Sequence, residues 1–315
     1  MAQAYNTLAG LIQFNDRNLA DYDLNDILDS APLLKAIYTQ TASNGTLHKY
    51  LKQTGASSAA FRDANDGLTK TVSQDTLVTV TLKIIDATFS ADVALAKAYK
   101  NGVDAYLEKE LARSLRSAFA AAEKQIFYGT GADAKGFTGI LDGTGHDALA
   151  DDMVISASGK TAKKQTSCFV MRHAEDAASF IVGEEGQFIV NEEPTIISVA
   201  GTDGGTLPAY YVPVTGWAGF QIGGAFDVAR IANIDTGDLT STSAFTDDHI
   251  FAAISKFKSD RQPNVIVMNR DALRLLRQSR TAVNPTGAPA MLPTDLDGIP
   301  IIVTDQIVST EAVVS

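Results

Sequence analysis

The side chains of this chain that could do chemistry are a glycine cluster, a short run of carboxylates, four histidines and one cysteine. Gly129-Thr130-Gly131-Ala132-Asp133-Ala134 meets the letter of the dinucleotide fingerprint, whose glycines let backbone close on a pyrophosphate. These glycines follow a helical segment, however, whereas phosphate binding needs a strand feeding a helix N-terminus. Gly159-Lys160-Thr161 carries the tail of a phosphate loop, but Val154 stands where the first glycine belongs. Asp21, Asp23 and Asn25 open like a calcium loop, yet Asp26 occupies the glycine position and Pro32 that of the bidentate glutamate. His48, His146, His173 and His249 share no metal-ligand spacing. Cys168 lies in the apolar run Cys168-Phe169-Val170-Met171 and reads as a buried small hydrophobe. No nucleophile elbow is present. The sequence therefore predicts no catalytic, cofactor-binding or metal-ligating residue.

The elements that would position any site are more informative. Val103, Tyr106, Leu107, Leu111, Leu115, Ala118, Phe119, Ala122 and Ile126 recur at three-and-four spacing, one buried stripe of a single helix. Glu108, Lys109, Arg113, Arg116, Glu123 and Lys124 are expected on its other faces. To Phe127 such a helix spans roughly 38 Å, and Gly129 and Gly131 supply its stop. The average helix is only about 11–12 residues long, so this one reads as a structural spine.

Composition sets the class. The chain has 315 residues, 45% hydrophobic and 20% charged, enough for two substantial cores. Its net charge of −11 argues against a basic nucleic-acid-binding surface. One cysteine permits no intrachain disulfide, and a reducing cytoplasm is the simplest compartment. The N-terminus lacks the basic and apolar regions of a secretory signal, so Asn44-Gly45-Thr46 reads as an accidental glycosylation match. Gly204 to Phe226 is uncharged, but its glycines and prolines make strands and turns of it, not a membrane helix.

Before the spine helix, residues 1–45 form a polar arm with apolar clusters at Leu24, Ile27 and Leu28 and at Leu33, Leu34, Ile37 and Tyr38. Asp29-Ser30-Ala31-Pro32 predicts a helix start with serine as cap. Leu47, Lys49, Leu51 and Gln53, and later Val78, Val80, Leu82 and Ile84, alternate as strands around about twenty small and polar residues. After the spine, Cys168–Ile234 is strand-rich, and Asp247–Ser315 alternates helix and strand.

Several phrases in order carry a resemblance: Ala60-Phe61-Arg62-Asp63-Ala64-Asn65-Asp66-Gly67, the strand Leu77–Ile85, the spine helix, and Phe127-Tyr128-Gly129-Thr130-Gly131 closing on Gly136-Phe137-Thr138-Gly139-Ile140. Val265-Ile266-Val267-Met268-Asn269-Arg270 and Gly298-Ile299-Pro300-Ile301-Ile302-Val303-Thr304-Asp305 follow. Together they resemble the major capsid proteins of tailed bacteriophages, the HK97-like fold. That resemblance implies an α+β chain with an N-terminal arm at 1–45 and an extended β-hairpin loop at 46–88. It implies a peripheral domain with the spine helix at 89–128 and 160–236, and an axial α/β domain at 129–159 and 237–315. The peripheral sheet would precede the axial domain, an order permuted from the family's usual one.

The implied function is self-assembly into pentamers and hexamers of an icosahedral head around double-stranded DNA. Phe61, Arg62, Asp63 and Lys70 of the extended loop would contact a neighbouring subunit. Some relatives crosslink subunits through a loop lysine; Lys70 lies in that region without an assignable asparagine partner, so an ordinary solvated or paired lysine is expected. Because the chain begins directly with the arm, a separate scaffolding protein is expected, with a portal, a decoration protein and DNA bound without sequence specificity as further partners. Virion localisation, assembly in the host cytoplasm and no membrane association complete the reading. A cellular nanocompartment shell of the same fold, and more distantly a soluble α/β enzyme, are the alternatives.

Overall fold

The computed structural model describes residues 27–55, 61–67, 74–142, 146–149, 151–183, 188–190, 194–201, 204–224, 226–237, 244–284 and 288–315. In the arm, Pro32 opens a single helical turn, α1 (Pro32–Ala36), followed by β1 (Thr39–Thr41). β2 (Leu47–Gly55) and β3 (Gln74–Thr81) then form a two-stranded antiparallel hairpin. Leu82 breaks the second strand, and the chain continues as β4 (Lys83–Asp86), β5 (Phe89–Asp92) and α2 (Val93–Ala98). The spine helix α3 (Val103–Tyr128) runs 26 residues, two longer than its apolar period predicts.

Gly129 ends α3 in a left-handed conformation, φ 50°, and starts a 3-10 turn through Gly131. The turn then folds back onto the helix it leaves. A Cβ at Gly139 would lie 2.4 Å from the Gln125 carbonyl oxygen and 2.6 Å from the Gly129 nitrogen, so only glycine fits that return.

The remaining strands are β6 (Val154–Ser156), β7 (Gln165–Met171), β8 (Ala178–Val182), β9 (Phe188–Val190), β10 (Thr195–Ala200), β11 (Thr206–Val212), β12 (Val214–Ile222) and β13 (Val228–Asp235). Then come α4 (Asp247–Ile254), β14 (Val265–Met268), α5 (Arg270–Ala282), β15 (Asp295–Leu296) and β16 (Ile299–Val303). Aspartates sit in the first turn of α4, and Asn269 caps α5 by accepting from the Ala272 amide at 2.8 Å.

Two sheets organise these elements. The first runs β1-β8-β12-β4, with β9 also on β12; the second runs β15-β16-β14-β7-β13-β6. A smaller sheet, β10-β11-β5, lies beside the start of the spine. Phe180, Val182, Val214, Ala218 and Phe220 of the first sheet pack with Leu115, Phe119 and Ile126 of α3. The same core takes in Phe169, Met171, Val265 and Val267 from one face of the second sheet, and Phe127 stacks on Phe169 at 5.1 Å. Alternate residues of those strands, Cys168, Val170, Ile266 and Met268, point the other way and pack under α4 and α5. Strands buried on both faces are why Cys168–Met171 and Val265–Met268 read as unbroken apolar runs.

The strand-rich block Cys168–Ile234, expected as one peripheral sheet in 160–236, is shared among the two main sheets and the smaller one, which takes β10 and β11. Its ends, β7 and β13, pair with each other, and β7 pairs with β14, while β8, β9 and β12 lie in the sheet against α3. The chain enters the second sheet at β6, leaves it at β8 and returns at β13, so segments of the two main sheets interleave along the sequence. Pairing between strands far apart in sequence decides this, and composition cannot distinguish a β7 from a β8.

Candidate assembly interface

The hairpin β2–β3 has an inner and an outer face. Val80 and Leu82 pack on Ala42 and Ile181 with Tyr50 against them, and the Tyr50 hydroxyl donates to the Ile222 carbonyl at 2.9 Å. Gly219 on β12 makes room for this root: a Cβ there would stand 3.2 Å from Val80 and 3.4 Å from Leu82. The first sheet is thus covered by the spine helix on one side and by the hairpin root on the other. On the hairpin's outer face Leu51 and Leu77 are direct cross-strand partners, 68% and 60% exposed. Ile84 and Trp217 form a second exposed cross-strand pair on the first sheet.

At the hairpin's far end Phe61 is fully exposed, with Arg62 and Asp63 exposed beside it. Arg62 donates to the Asp66 carbonyl at 3.0 Å, closing a local turn in which Asn65 takes a left-handed φ of 73°. The structure therefore brings Phe61, Arg62 and Asp63 together on one exposed loop; Lys70 lies outside the described residues. Leu51–Leu77 and Ile84–Trp217 were not singled out from sequence, although alternation already separated Leu51 from Tyr50.

Inside, two polar clusters join the parts. Glu123 is fully buried in α3, against the expectation that it faces solvent; its spacing, four after Phe119 and three before Ile126, puts it on the apolar stripe. Its carboxylate accepts from the amides of Leu33 at 2.8 Å and Leu34 at 3.2 Å, and from the Thr304 hydroxyl. Glu123 thereby caps α1, the role expected of Ser30. Ser30 Oγ instead donates to the carbonyls of Ile27 and Arg116 at 3.0 and 3.1 Å. Burial outweighs these hydrogen bonds and pushes the Glu123 pKa up to about 7.

The second cluster holds the C-terminal segment. Arg230 on β13 donates to Glu311, Ser167 and the His146 carbonyl, and Glu311 also accepts from Ser167 and from Tyr128 at the end of the spine. Burial first, then the Glu311 charge, pushes the Tyr128 hydroxyl far above its ordinary pKa.

A cavity of about 520 Å³ lies between the hairpin root and the glycine turn, with Tyr50, Lys52, Thr130 and Asp142 among its lining. Asp142 is the carboxylate there, and Thr130 and Gly139 already hold it through hydrogen bonds of 2.5 to 3.2 Å. Among the described residues no group of three His, Cys, Asp or Glu could hold a metal, and no helix is long and apolar enough to cross a membrane. The arrangement offers surfaces for contact more than it offers a reaction.

A long helix backing one sheet, a second sheet with helices on its far face, and a projecting hairpin together define an HK97-like capsid subunit. The family described as major capsid protein GP7 matches residues 23–315, and the chain belongs to that family. Among solved structures, that of bacteriophage Epsilon15 aligns over 100% of this chain and 98% of its own at 20% identity, TM-score 0.61. The bacteriophage JBD30 capsid aligns over 92% and 96% at 13% identity, TM-score 0.52. No curated protein matches the chain.

Proposed function

We propose that this major capsid protein is the repeating unit of an icosahedral phage head, assembling as pentamers and hexamers around double-stranded DNA. In this reading the unit of α3 and the first sheet is peripheral, and the second sheet with α4 and α5 stands near the capsomer axis. The hairpin reaches over an adjacent copy. A scaffolding protein, a portal, a decorating protein and the packaged DNA are the further partners, and assembly takes place in the host cytoplasm.

One observation carries the reading. The hairpin's outer face and tip present Leu51, Leu77 and Phe61 to water, and the subunit's own body covers none of them. Two leucines opposite each other on a two-stranded ribbon contribute little to a monomer, because such a ribbon is marginal unless it packs on something. Against a neighbour each would contribute roughly 1.5–3 kcal/mol of burial, repeated at every subunit. Arg62 and Asp63 would set register at the edge of that contact.

Replacing Leu51 and Leu77 together by lysine tests this. The double variant is expected to fold with an unchanged circular dichroism spectrum and to fail to close shells by sedimentation. Shells at wild-type yield would refute the role of the hairpin.

A further inference from the structure

Glu123 sits where three separate stretches of chain meet: the arm at α1, the last third of the spine, and the segment after β16 at Thr304. All its partners are neutral. The amides of Leu33 and Leu34 donate to one carboxyl oxygen and the Thr304 hydroxyl to the other. Charged side chains of the surrounding elements stand at the surface and are mostly engaged elsewhere. Lys35 on α1 pairs with Asp29 at 2.8 Å, and Asp305 beside Thr304 pairs with Arg270 at 2.9 Å. Arg116 and Lys124 are exposed on α3, and Tyr128 is bonded to Glu311. A carboxylate fully removed from water with no cation against it is held in its costlier form.

The protonated form keeps every contact. Oε2 still accepts both amides, while a proton on Oε1 is donated to Thr304 Oγ1, which has a lone pair left after accepting the Gln306 amide at 3.1 Å. Ionisation gains only stronger capping of α1 and a charge-assisted bond from the Thr304 hydroxyl, and it leaves a charge in the core. Undocking α1 would let water reach that charge.

We propose that Glu123 is a proton-controlled latch for the N-terminal arm: as the neutral acid it fastens α1 and the Thr304 segment to the spine helix, and its ionisation loosens that junction. The docked carboxyl keeps its proton up to about pH 7, whereas a released and hydrated one loses it near its ordinary 4.5. Arm docking is therefore fully stable below the lower value, weakens as pH rises between the two, and is level above the higher. An arm whose hold on the subunit changes across neutral pH can be ordered or freed without any change in the rest of the fold.

Hydrogen exchange on the full-length protein, corrected for the intrinsic pH dependence of exchange, tests this at the amides of residues 27–37. Between pH 5.5 and pH 8 the opening equilibrium of that segment should rise about thirtyfold. Glu123→Gln, which keeps an acceptor for α1 but cannot ionise, should hold α1 protected equally at both pH values. Thr304→Val removes a donor that favours the anion, so it should move the wild-type transition to higher pH. Equal pH dependence in wild type and Glu123→Gln would overturn the latch, as would an unmoved transition in Thr304→Val.

Discussion

Arg230 and Glu311 meet at 2.8 Å with their side chains only 3% and 6% exposed, joining the second sheet to the last residues of the chain. Around them Ser167 and Tyr128 donate to the same carboxylate, so the end of the spine helix is tied into the same cluster. Removing one partner of such a pair strands a buried charge, which typically costs 3–5 kcal/mol. Glu311→Ala is expected to destabilise the protein by about that much in chemical denaturation. Near-wild-type stability would mean that Arg230 finds another counter-charge.

The glycine turn after the spine should tolerate almost nothing at Gly139. An added methyl would meet three backbone atoms within 2.7 Å, belonging to Gln125, Ile126 and Gly129, and backbone cannot swing aside as a side chain can. Gly139→Ala should cost at least about 2 kcal/mol. Gly131→Ala, where nothing described lies within 4 Å, should be nearly neutral in the same denaturation experiment.

Cys168 is fully buried, and burial pushes its thiol well above the usual range. A thiol reagent should modify the native protein only as fast as it unfolds. A cysteine introduced as Phe61→Cys should react at once, because that position is open. Rapid labelling of the native wild type would show that β7 opens to solvent.

Phe61→Ala removes a side chain that touches little of its own subunit. The melting temperature of the unassembled subunit should therefore be unchanged while shell yield falls. A lowered melting temperature in the unassembled state would mean that the ring serves its own chain.

The sequence was most informative within single elements. The apolar period from Val103 to Ile126 delimited the spine to within two residues, because helix burial is written at local spacing. Alternation likewise marked β2 and β3. What stayed hidden depended on partners far along the chain. Glu123 was placed among the solvent-facing charges because its type outweighed its position on the stripe, and its α1 partners lie 89 and 90 residues away. Ser30 looked like the cap of α1 for the same reason in reverse. The division of residues 165–235 among three sheets was hidden because the buried strands of the two main sheets have the same composition. On the hairpin Phe61 stood out as an aromatic in a polar loop, while Leu51 and Leu77 became notable only once register set them face to face.

The central claim is that this subunit completes its burial against copies of itself. Electron microscopy of the purified wild-type protein tests it most directly. Closed shells, with the hairpin lying on a neighbouring subunit in the resulting density, are the expected result. A homogeneous monomer that stays unassembled at high concentration, with its hairpin folded onto its own body, would contradict it.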